Sequence, residues 1–281
     1  MISARSIGNA VRDVLPRLAC TLRPDVEAAL KNALASEPSA RGRRVIEMLL
    51  ENAATASSAR VPVCQDTGTV WVWVELGADE PAPPGIAAEV DEAVREACRA
   101  GLLRASVAKD ALLDRSNTQD DTPALVDVTW REGAGATVHV MLKGGGSDNA
   151  SALEMLPPSA GEAGVVDAVL RAVEAKGASA CPPLVIGVGV GGTFDTVAKL
   201  SKRALLTPLD APTPDPSVRG LQERLLGAVN ASGIGPAGLG GRTTALGIRV
   251  LTAPCHIAAL PVAVNLGCCA MRTASIEVSG A

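Results

Sequence analysis

The sequence predicts an α+β fold, with mixed helices, mostly antiparallel sheets, and glycine-rich loops gathered around one site. Its 281 residues are 47% apolar, which is enough material for a sizeable core. Helical and β-like segments follow one another without a regular βαβ alternation, and three glycine-dense loops each adjoin a β-like run. No linker is evident. We therefore expect one domain over 1–281, helical over about 1–60 and mixed thereafter.

The first sixty residues are predicted to be helical because apolar residues recur there at spacings of three and four. Val11, Val14, Leu15 and Leu18 show this pattern. Pro24, followed by Asp25, indicates the start of a second helix, with acids near its positive end.

A thiol, an amide and a carboxylate then stand side by side at Cys64, Gln65 and Asp66. Asp and Gly disfavour helix and strand interiors, so this stretch is predicted to be a turn before a strand over 70–74. Taken alone, the turn is also compatible with a buried structural thiol beside a turn carboxylate.

The middle of the chain contains a predicted helix over 86–100 and a long polar connection over 104–123, of the kind that is often functional. Two β-like runs follow, 124–131 and 136–142. Their glycine-containing connection predicts a hairpin. His139, in the second run, is expected to be a structural residue.

Lys143 precedes three consecutive glycines, Gly144 to Gly146. Such a bare backbone indicates either positive φ angles and a close approach to an anion, or a flexible hinge. The Lys stands before the glycines, so the loop is not a Walker motif.

A helix over 161–176 leads to Gly187, Gly189 and Gly192, which match the dinucleotide-binding pattern. The acids that should follow, Asp210 and Asp215, lie in a proline-rich stretch that cannot be a central strand. An NAD-dependent oxidoreductase is therefore a weak alternative. A third glycine-dense loop, 233–244, precedes a strand over 245–251.

Composition excludes several classes of function. A net charge of −4 and four aromatic residues make a nucleic-acid partner improbable. The N-terminus lacks a signal-peptide core and no apolar run reaches spanning length, so we expect a cytoplasmic protein without a membrane partner.

The seven cysteines are odd in number and scattered, which favours metal ligation or catalysis over disulfides. Three thiolates fit either an open zinc site or a cubane cluster with one free iron.

Five motifs, in order along the chain, closely resemble the alpha subunit of the class I, iron-sulfur fumarate hydratases and the related L-tartrate dehydratases. The motifs begin at Pro62, Lys143, Cys181, Gly233 and Leu260. The resemblance runs from about residue 5 to the C-terminus.

The resemblance implies a 4Fe-4S cluster, used as a Lewis acid and held by Cys64, Cys181 and Cys268. Cys255 is a rival ligand on sequence grounds, but its neighbour His256 matches the family's substrate-site His, so Cys255 and Cys269 are assigned to the surroundings. The resemblance implies catalytic roles for Asp66, in proton transfer, and for His256, in the substrate site. The residues implied to bind a small dicarboxylate substrate are Gln65, Arg104, Lys143, Gly144 and Gly145.

The expected reaction is the reversible hydration of fumarate to malate, with tartrate dehydration as the nearest alternative. The family completes its active site with a beta subunit, so this chain alone is expected to be inactive. A non-catalytic scaffold subunit is a further alternative. The loop with Gln119 and Asp121 departs from the family pattern, which has Gly and Asn there, and Asp148 replaces a Glu.

Overall fold

The computed structural model describes residues 1–280, and these form two compact units. The first unit contains Met1–Arg23, Ala53–Gly145 and the C-terminal segment from Arg272; the second contains Pro24–Asn52 and Gly146–Met271. The single domain expected from the sequence stays a prediction.

The α+β fold class is confirmed. Within residues 1–280 the α-helices are α1 (Ala4–Cys20), α2 (Pro24–Ser36), α3 (Ala40–Ala59), α4 (Ile86–Arg99), α5 (Gly145–Asp148), α6 (Gly161–Lys176), α7 (Phe194–Ala204) and α8 (Pro216–Ala231). The strands are β1 (Thr69–Gly77), β2 (Leu125–Arg131), β3 (Ala136–Lys143), β4 (Ala152–Leu156), β5 (Leu184–Gly192), β6 (Ala245–Cys255), β7 (Leu260–Gly267) and β8 (Arg272–Val278). No helix in this part of the chain is both long and apolar enough to cross a bilayer.

The first unit contains a four-stranded sheet in the order β2-β1-β3-β8. Strand β1 runs parallel to β2, whereas β3 is antiparallel to both β1 and β8. Helices α1 and α4 cover one face, where Val70, Val72 and Val74 of β1 join the hydrophobic core. On the other face His139 is hydrogen-bonded to Ser275 and Glu75, as expected of a structural residue.

The predicted hairpin between the two β-like runs is wrong, because β1 lies between β2 and β3. The glycine connection passes close to the end of β1, where the Gly77 N–H donates to the Gly135 carbonyl at 2.7 Å. A Cβ on Gly77 would lie 2.4 Å from the Gly133 carbonyl oxygen. The glycines therefore allow a close crossing over the end of β1.

The second unit contains a sheet in the order β4-β7-β5-β6, in which β5 and β6 are parallel and the other two pairs are antiparallel. Helices α6 and α8 pack on one face and α7 on the other. Of the six strand pairs in the two sheets, four are antiparallel, which confirms the mostly antiparallel prediction.

The glycines that match the dinucleotide pattern lie inside strand β5. A Cβ on Gly187 would lie 2.2 Å from the Ser201 carbonyl oxygen, and one on Gly189 would lie 2.7 Å from the Val197 carbonyl oxygen. Both positions therefore serve the close packing of α7 against the sheet. The packing of α7 therefore explains why glycines occur at these two positions, and no phosphate-binding turn is needed to explain them.

Candidate functional site

In the first unit, the turn that contains Cys64 is held in place by hydrogen bonds at both ends. The Val63 N–H donates to the Ala19 carbonyl at 2.9 Å. The hydroxyl oxygen of Thr67, a residue that is 1% exposed, accepts the Arg104 N–H at 2.8 Å. Gly68 has a φ of +78°, and a Cβ there would lie 2.2 Å from the Lys143 carbonyl oxygen. Only glycine fits at this contact without a shift of the backbone.

The Asp66 carboxylate lies against the glycine run that follows β3. Its Oδ2 accepts the Gly145 N–H at 2.8 Å. The backbone carbonyl of Asp66 accepts a hydrogen bond from Nη2 of Arg272, a residue 1% exposed, at 2.9 Å. The carboxylate is thereby fixed from the glycine side and the backbone from the β8 side.

These contacts bring together three of the segments that sequence analysis singled out. We call the group formed by Cys64–Asp66, Arg104 and Lys143–Gly145 the Asp66 corner. Gln65 and Arg104 are exposed, and Cys64 and Asp66 are half-buried. The Cys64 thiol lies 3.4 Å from the Gln65 amide oxygen. Polar groups of several kinds are therefore accessible at one place.

Lys143 and the glycines differ in detail from the expectation. The Lys143 residue is buried, with 2% exposure. The Gly145 N–H, expected to bind the substrate, donates to Asp66 in this structure. The glycine backbone is thus a support for the carboxylate.

In the second unit, Cys181 and the Cys268–Cys269 pair lie together. The Cys269 N–H donates to the Cys181 carbonyl at 3.1 Å. Cys181 is exposed and has a φ of +57°, which is uncommon for a residue with a side chain. The Pro182 carbonyl accepts the Ala237 N–H from the loop 233–244 at 2.8 Å. One glycine-dense loop is therefore in contact with the Cys181 segment.

Glu37, which no sequence pattern singles out, holds this loop. Its carboxylate, in a residue 2% exposed, accepts hydrogen bonds from Ser39, Arg242 and Thr243, including the Thr243 hydroxyl at 2.8 Å. Burial alone acts to raise the pKa of Glu37, but these hydrogen bonds together hold it below its usual value. Glu37 lies about 200 residues before Arg242 and Thr243, so no local pattern marks its contact with this loop.

Cys255 and His256 lie at the opposite end of the second sheet from Cys181. Cys255 pairs with Gly192, the last residue of β5, whereas Cys181 comes just before the first residue of that strand. The nine residues of β5 make eight steps of about 3.3 Å, so the two ends of the strand lie about 26 Å apart. Cys268 follows β7 at the Cys181 end, because Val185 pairs with Gly267. This register favours Cys268 over Cys255 as the partner of Cys181.

The predicted ligands Cys64, Cys181 and Cys268 have the right chemistry for an iron-sulfur cluster, because cysteine thiolates are the ligands that such clusters use. Cys64 belongs to the first unit, and Cys181 and Cys268 to the second. Across residues 1–280, no three His, Cys, Asp or Glu side chains form a group that could hold a metal ion. The ligand set therefore stays a prediction, supported by the proximity of the Cys181 and Cys268 segments.

Comparison with known proteins agrees with these features. The family model described as "Fumarate hydratase (Fumerase)" matches residues 8–277. The chain is 34% identical over 274 residues to a Methanocaldococcus jannaschii protein whose name assigns it provisionally as an L(+)-tartrate dehydratase subunit alpha, covering 95% of this chain and 96% of the relative. It is 33% identical over 258 residues to the L(+)-tartrate dehydratase subunit alpha of Escherichia coli strain UTI89, covering 90% of this chain and 84% of the relative.

Proposed function

Because the chain belongs to the fumarate hydratase family, we propose that it is the alpha subunit of an iron-sulfur hydro-lyase that reversibly hydrates fumarate to malate. The hydro-lyase class follows from the family and from the names of the relatives. The observation that carries the proposal is the Asp66 corner, where Gly145 holds the Asp66 carboxylate next to the exposed Gln65 and the backbone of the exposed Arg104 is bonded to Thr67 of the same turn.

In the direction of dehydration, one C–H bond next to a carboxylate and one C–O bond on the neighbouring carbon of malate must break. We assign the removal of the proton to Asp66. Its Oδ2 is occupied by the Gly145 N–H, which leaves Oδ1 to accept the proton. In the reverse direction the same oxygen returns the proton to carbon.

Substrate binding is assigned to the two exposed side chains of the corner. The planar guanidinium of Arg104 suits a carboxylate, because two parallel N–H groups can meet its two oxygens. Its backbone is fixed by the hydrogen bond to Thr67, so the side chain starts from a defined place. The amide of Gln65 can donate to the other carboxylate or to the hydroxyl.

We propose that Cys64, Cys181 and Cys268 hold a 4Fe-4S cluster, which when bound supplies Lewis-acid chemistry that makes the substrate hydroxyl a better leaving group. The register of the second sheet supports Cys268 in this set. Glu37, through the loop 233–244, supports the segment that carries Cys181.

The role of His256 in the substrate site depends on its distance from Cys181. Within the second unit it lies about 26 Å along β5 from Cys181, whereas the long axis of a four-carbon diacid is only about two strand steps. A site that uses both Cys181 and His256 therefore needs His256 from a second copy of the chain. The beta subunit is proposed to complete the site, in keeping with the alpha-subunit names of the relatives.

L-tartrate is the second candidate substrate, favoured by the names of the two relatives. Tartrate carries one more hydroxyl than malate, and loss of water from it gives oxaloacetate after tautomerisation. The nicotinamide alternative is weakened, because Gly187 and Gly189 lie inside β5 against α7.

The test is anaerobic co-expression with the beta subunit, followed by assays of malate formation from fumarate and of oxaloacetate formation from L-tartrate. We expect turnover of at least one diacid by the two-subunit complex and none by the alpha chain alone. A folded, iron-loaded complex inactive on both diacids would overturn the proposed function. The ratio of kcat/KM for the two diacids decides between the candidates.

A further inference from the structure

Asp121 is a fully buried carboxyl group in the connection between α4 and β2. The residue is 0% exposed, and its φ of +60° lies in the left-handed region, which Asp tolerates better than most residues. Its Oδ1 accepts the Ser106 N–H at 2.9 Å. Its Oδ2 is buried and has no hydrogen-bond partner within residues 1–280. An ionised carboxylate in such surroundings is costly.

The charges around Asp121 increase this cost. Asp66 and Asp120 are both close enough to affect its titration. From α4, Arg95 forms an ion pair with Asp120 at 3.1 Å, and the Cys98 thiol is neutral because burial raises its pKa. Arg99, also from α4, pairs with Glu92 at 3.2 Å. No ion pair to Asp121 exists in the described part of the chain.

Burial raises the pKa of Asp121 to about 7; the charges of Asp66 and Asp120 act in the same direction and the hydrogen bond from Ser106 opposes them. When Asp121 is neutral, it adds no negative charge to that of Asp66. The negative charge of Asp120 is compensated by its ion pair with Arg95. This matters for an anionic ligand, since each additional negative charge at the corner repels it.

We propose that Asp121 is a positioning residue held as a neutral acid beside Asp66, and that its ionisation weakens the binding of a dicarboxylate substrate at the Asp66 corner. The inference rests on the proposed function for the identity of the ligand. It adds a residue that sets the charge of the site without touching the substrate. A rise in pH should therefore act on substrate binding more than on the chemical step.

The first measurement is the pH dependence of KM and kcat for the preferred diacid, using the complete two-subunit enzyme. For the wild type, KM should rise up to about tenfold per pH unit above about pH 7, as for a single ionisation, while kcat changes less. Asp121→Asn keeps the size of the side chain and an acceptor for Ser106 but cannot ionise, so its KM should stay flat. Asp79→Asn, which removes an exposed carboxylate of the same unit, should behave like the wild type.

The second measurement does not depend on catalysis. A group whose folded pKa is raised contributes stability that is complete below its unfolded pKa, about 4 for Asp, and that is lost as pH rises through about 7. The melting temperature of the wild type, relative to Asp121→Asn, should therefore fall as pH rises from about 4 to about 7 and level off above that. If the variant does not fold, an infrared carboxylic-acid band of the wild-type protein that disappears as pH rises through about 7 serves instead.

The outcomes separate the two proposals. A constant difference in melting temperature, or no acid band at about pH 6, would overturn the neutral state of Asp121. A titrating Asp121 with a pH-independent wild-type KM would overturn its role in binding. If neither fumarate nor tartrate is turned over, the proposed function fails and so does this role, whereas the stability measurement still decides whether Asp121 is neutral.

Discussion

The Gly145 N–H donates a 2.8 Å hydrogen bond to Oδ2 of Asp66, and the two residues are 79 positions apart in the chain. This contact joins the Cys64 turn to the glycine run after β3, so the carboxylate has a fixed direction. It leaves Oδ1 of Asp66 for the proposed proton transfer. A neutral amide in place of the carboxylate keeps the contact but loses the base.

Asp66→Asn should therefore lower kcat by about 10²- to 10⁴-fold, the usual contribution of a general base. The Asn carbonyl can still accept from Gly145, so the melting temperature and the iron content should remain close to wild type. Asp79→Asn is the matched control, because Asp79 is an exposed carboxylate of the same unit. Retention of wild-type kcat by Asp66→Asn would remove Asp66 from the proton-transfer step.

Gly68→Ala should be strongly destabilising because two costs coincide there. The φ of +78° strains any residue with a Cβ, and the added atom would lie 2.2 Å from the Lys143 carbonyl oxygen. We expect a loss on the order of 3 kcal/mol or more, measured by chemical unfolding. Gly85→Ala separates the two costs, since its φ is +85° but no atom lies within 4 Å of the added Cβ. A loss of only about 1 kcal/mol is expected there, and equal losses at both positions would contradict the close contact.

Glu37→Gln should destabilise the second unit and reduce cluster retention. The amide offers one acceptor oxygen and presents N–H groups to donors that now bind a carboxylate, at a cost of about 2–4 kcal/mol. Glu47→Gln, an exposed residue paired with Arg44 at 3.4 Å, should change stability by less than about 1 kcal/mol.

The stability difference between wild type and Glu37→Gln should depend on pH in a direction that follows from the lowered pKa of Glu37. The folded pKa of Glu37 is lowered, so its contribution to stability is complete above the unfolded pKa and is lost as pH falls through the folded pKa. The stability difference between wild type and Glu37→Gln should therefore shrink as pH is lowered below about 4. A difference that grows on acidification would contradict the assigned hydrogen bonds.

A complementation assay tests whether His256 acts in a second copy's site. Asp66→Asn and His256→Ala should each be nearly inactive with the beta subunit. When the two variant chains are co-assembled, some sites receive Asp66 from one chain and His256 from the other. About a quarter of wild-type activity is expected for random pairing in a two-fold assembly. No recovery from two inactive variants would place both residues in the site of one chain, and a fully active His256→Ala would remove its role.

Much of the local structure was predictable from the sequence. The helix Gly161–Lys176 has the predicted bounds, and the Cys64 turn delivers the predicted strand. Non-local pairing was not predictable. Strand β1 lies between β2 and β3, and its residue Val74 pairs with Val128, 54 positions later in the chain. Sequence spacing carries little information on such insertions, because several registers satisfy the same alternation of buried residues.

In the candidate site, too, the residues within sequence motifs were predictable, whereas those that depend on tertiary contacts were not. The motifs marked Cys64, Asp66, Arg104 and the glycine run, and the fold brings these together in the first unit. Glu37 and the burial of Asp121 had no local signal, because each depends on partners supplied by tertiary structure. The choice between Cys268 and Cys255 also needed the register of β5, which puts Cys255 at the far end of the sheet.

The most direct test of the account is the iron and acid-labile sulfide content of the anaerobically purified two-subunit complex, compared between wild type, Cys268→Ser and Cys255→Ser. We expect about four iron and four sulfide per alpha chain in the wild type and in Cys255→Ser, and a marked loss in Cys268→Ser. A folded wild-type complex that turns over its diacid without iron would contradict the cluster, and loss of iron in Cys255→Ser alone would contradict the ligand set.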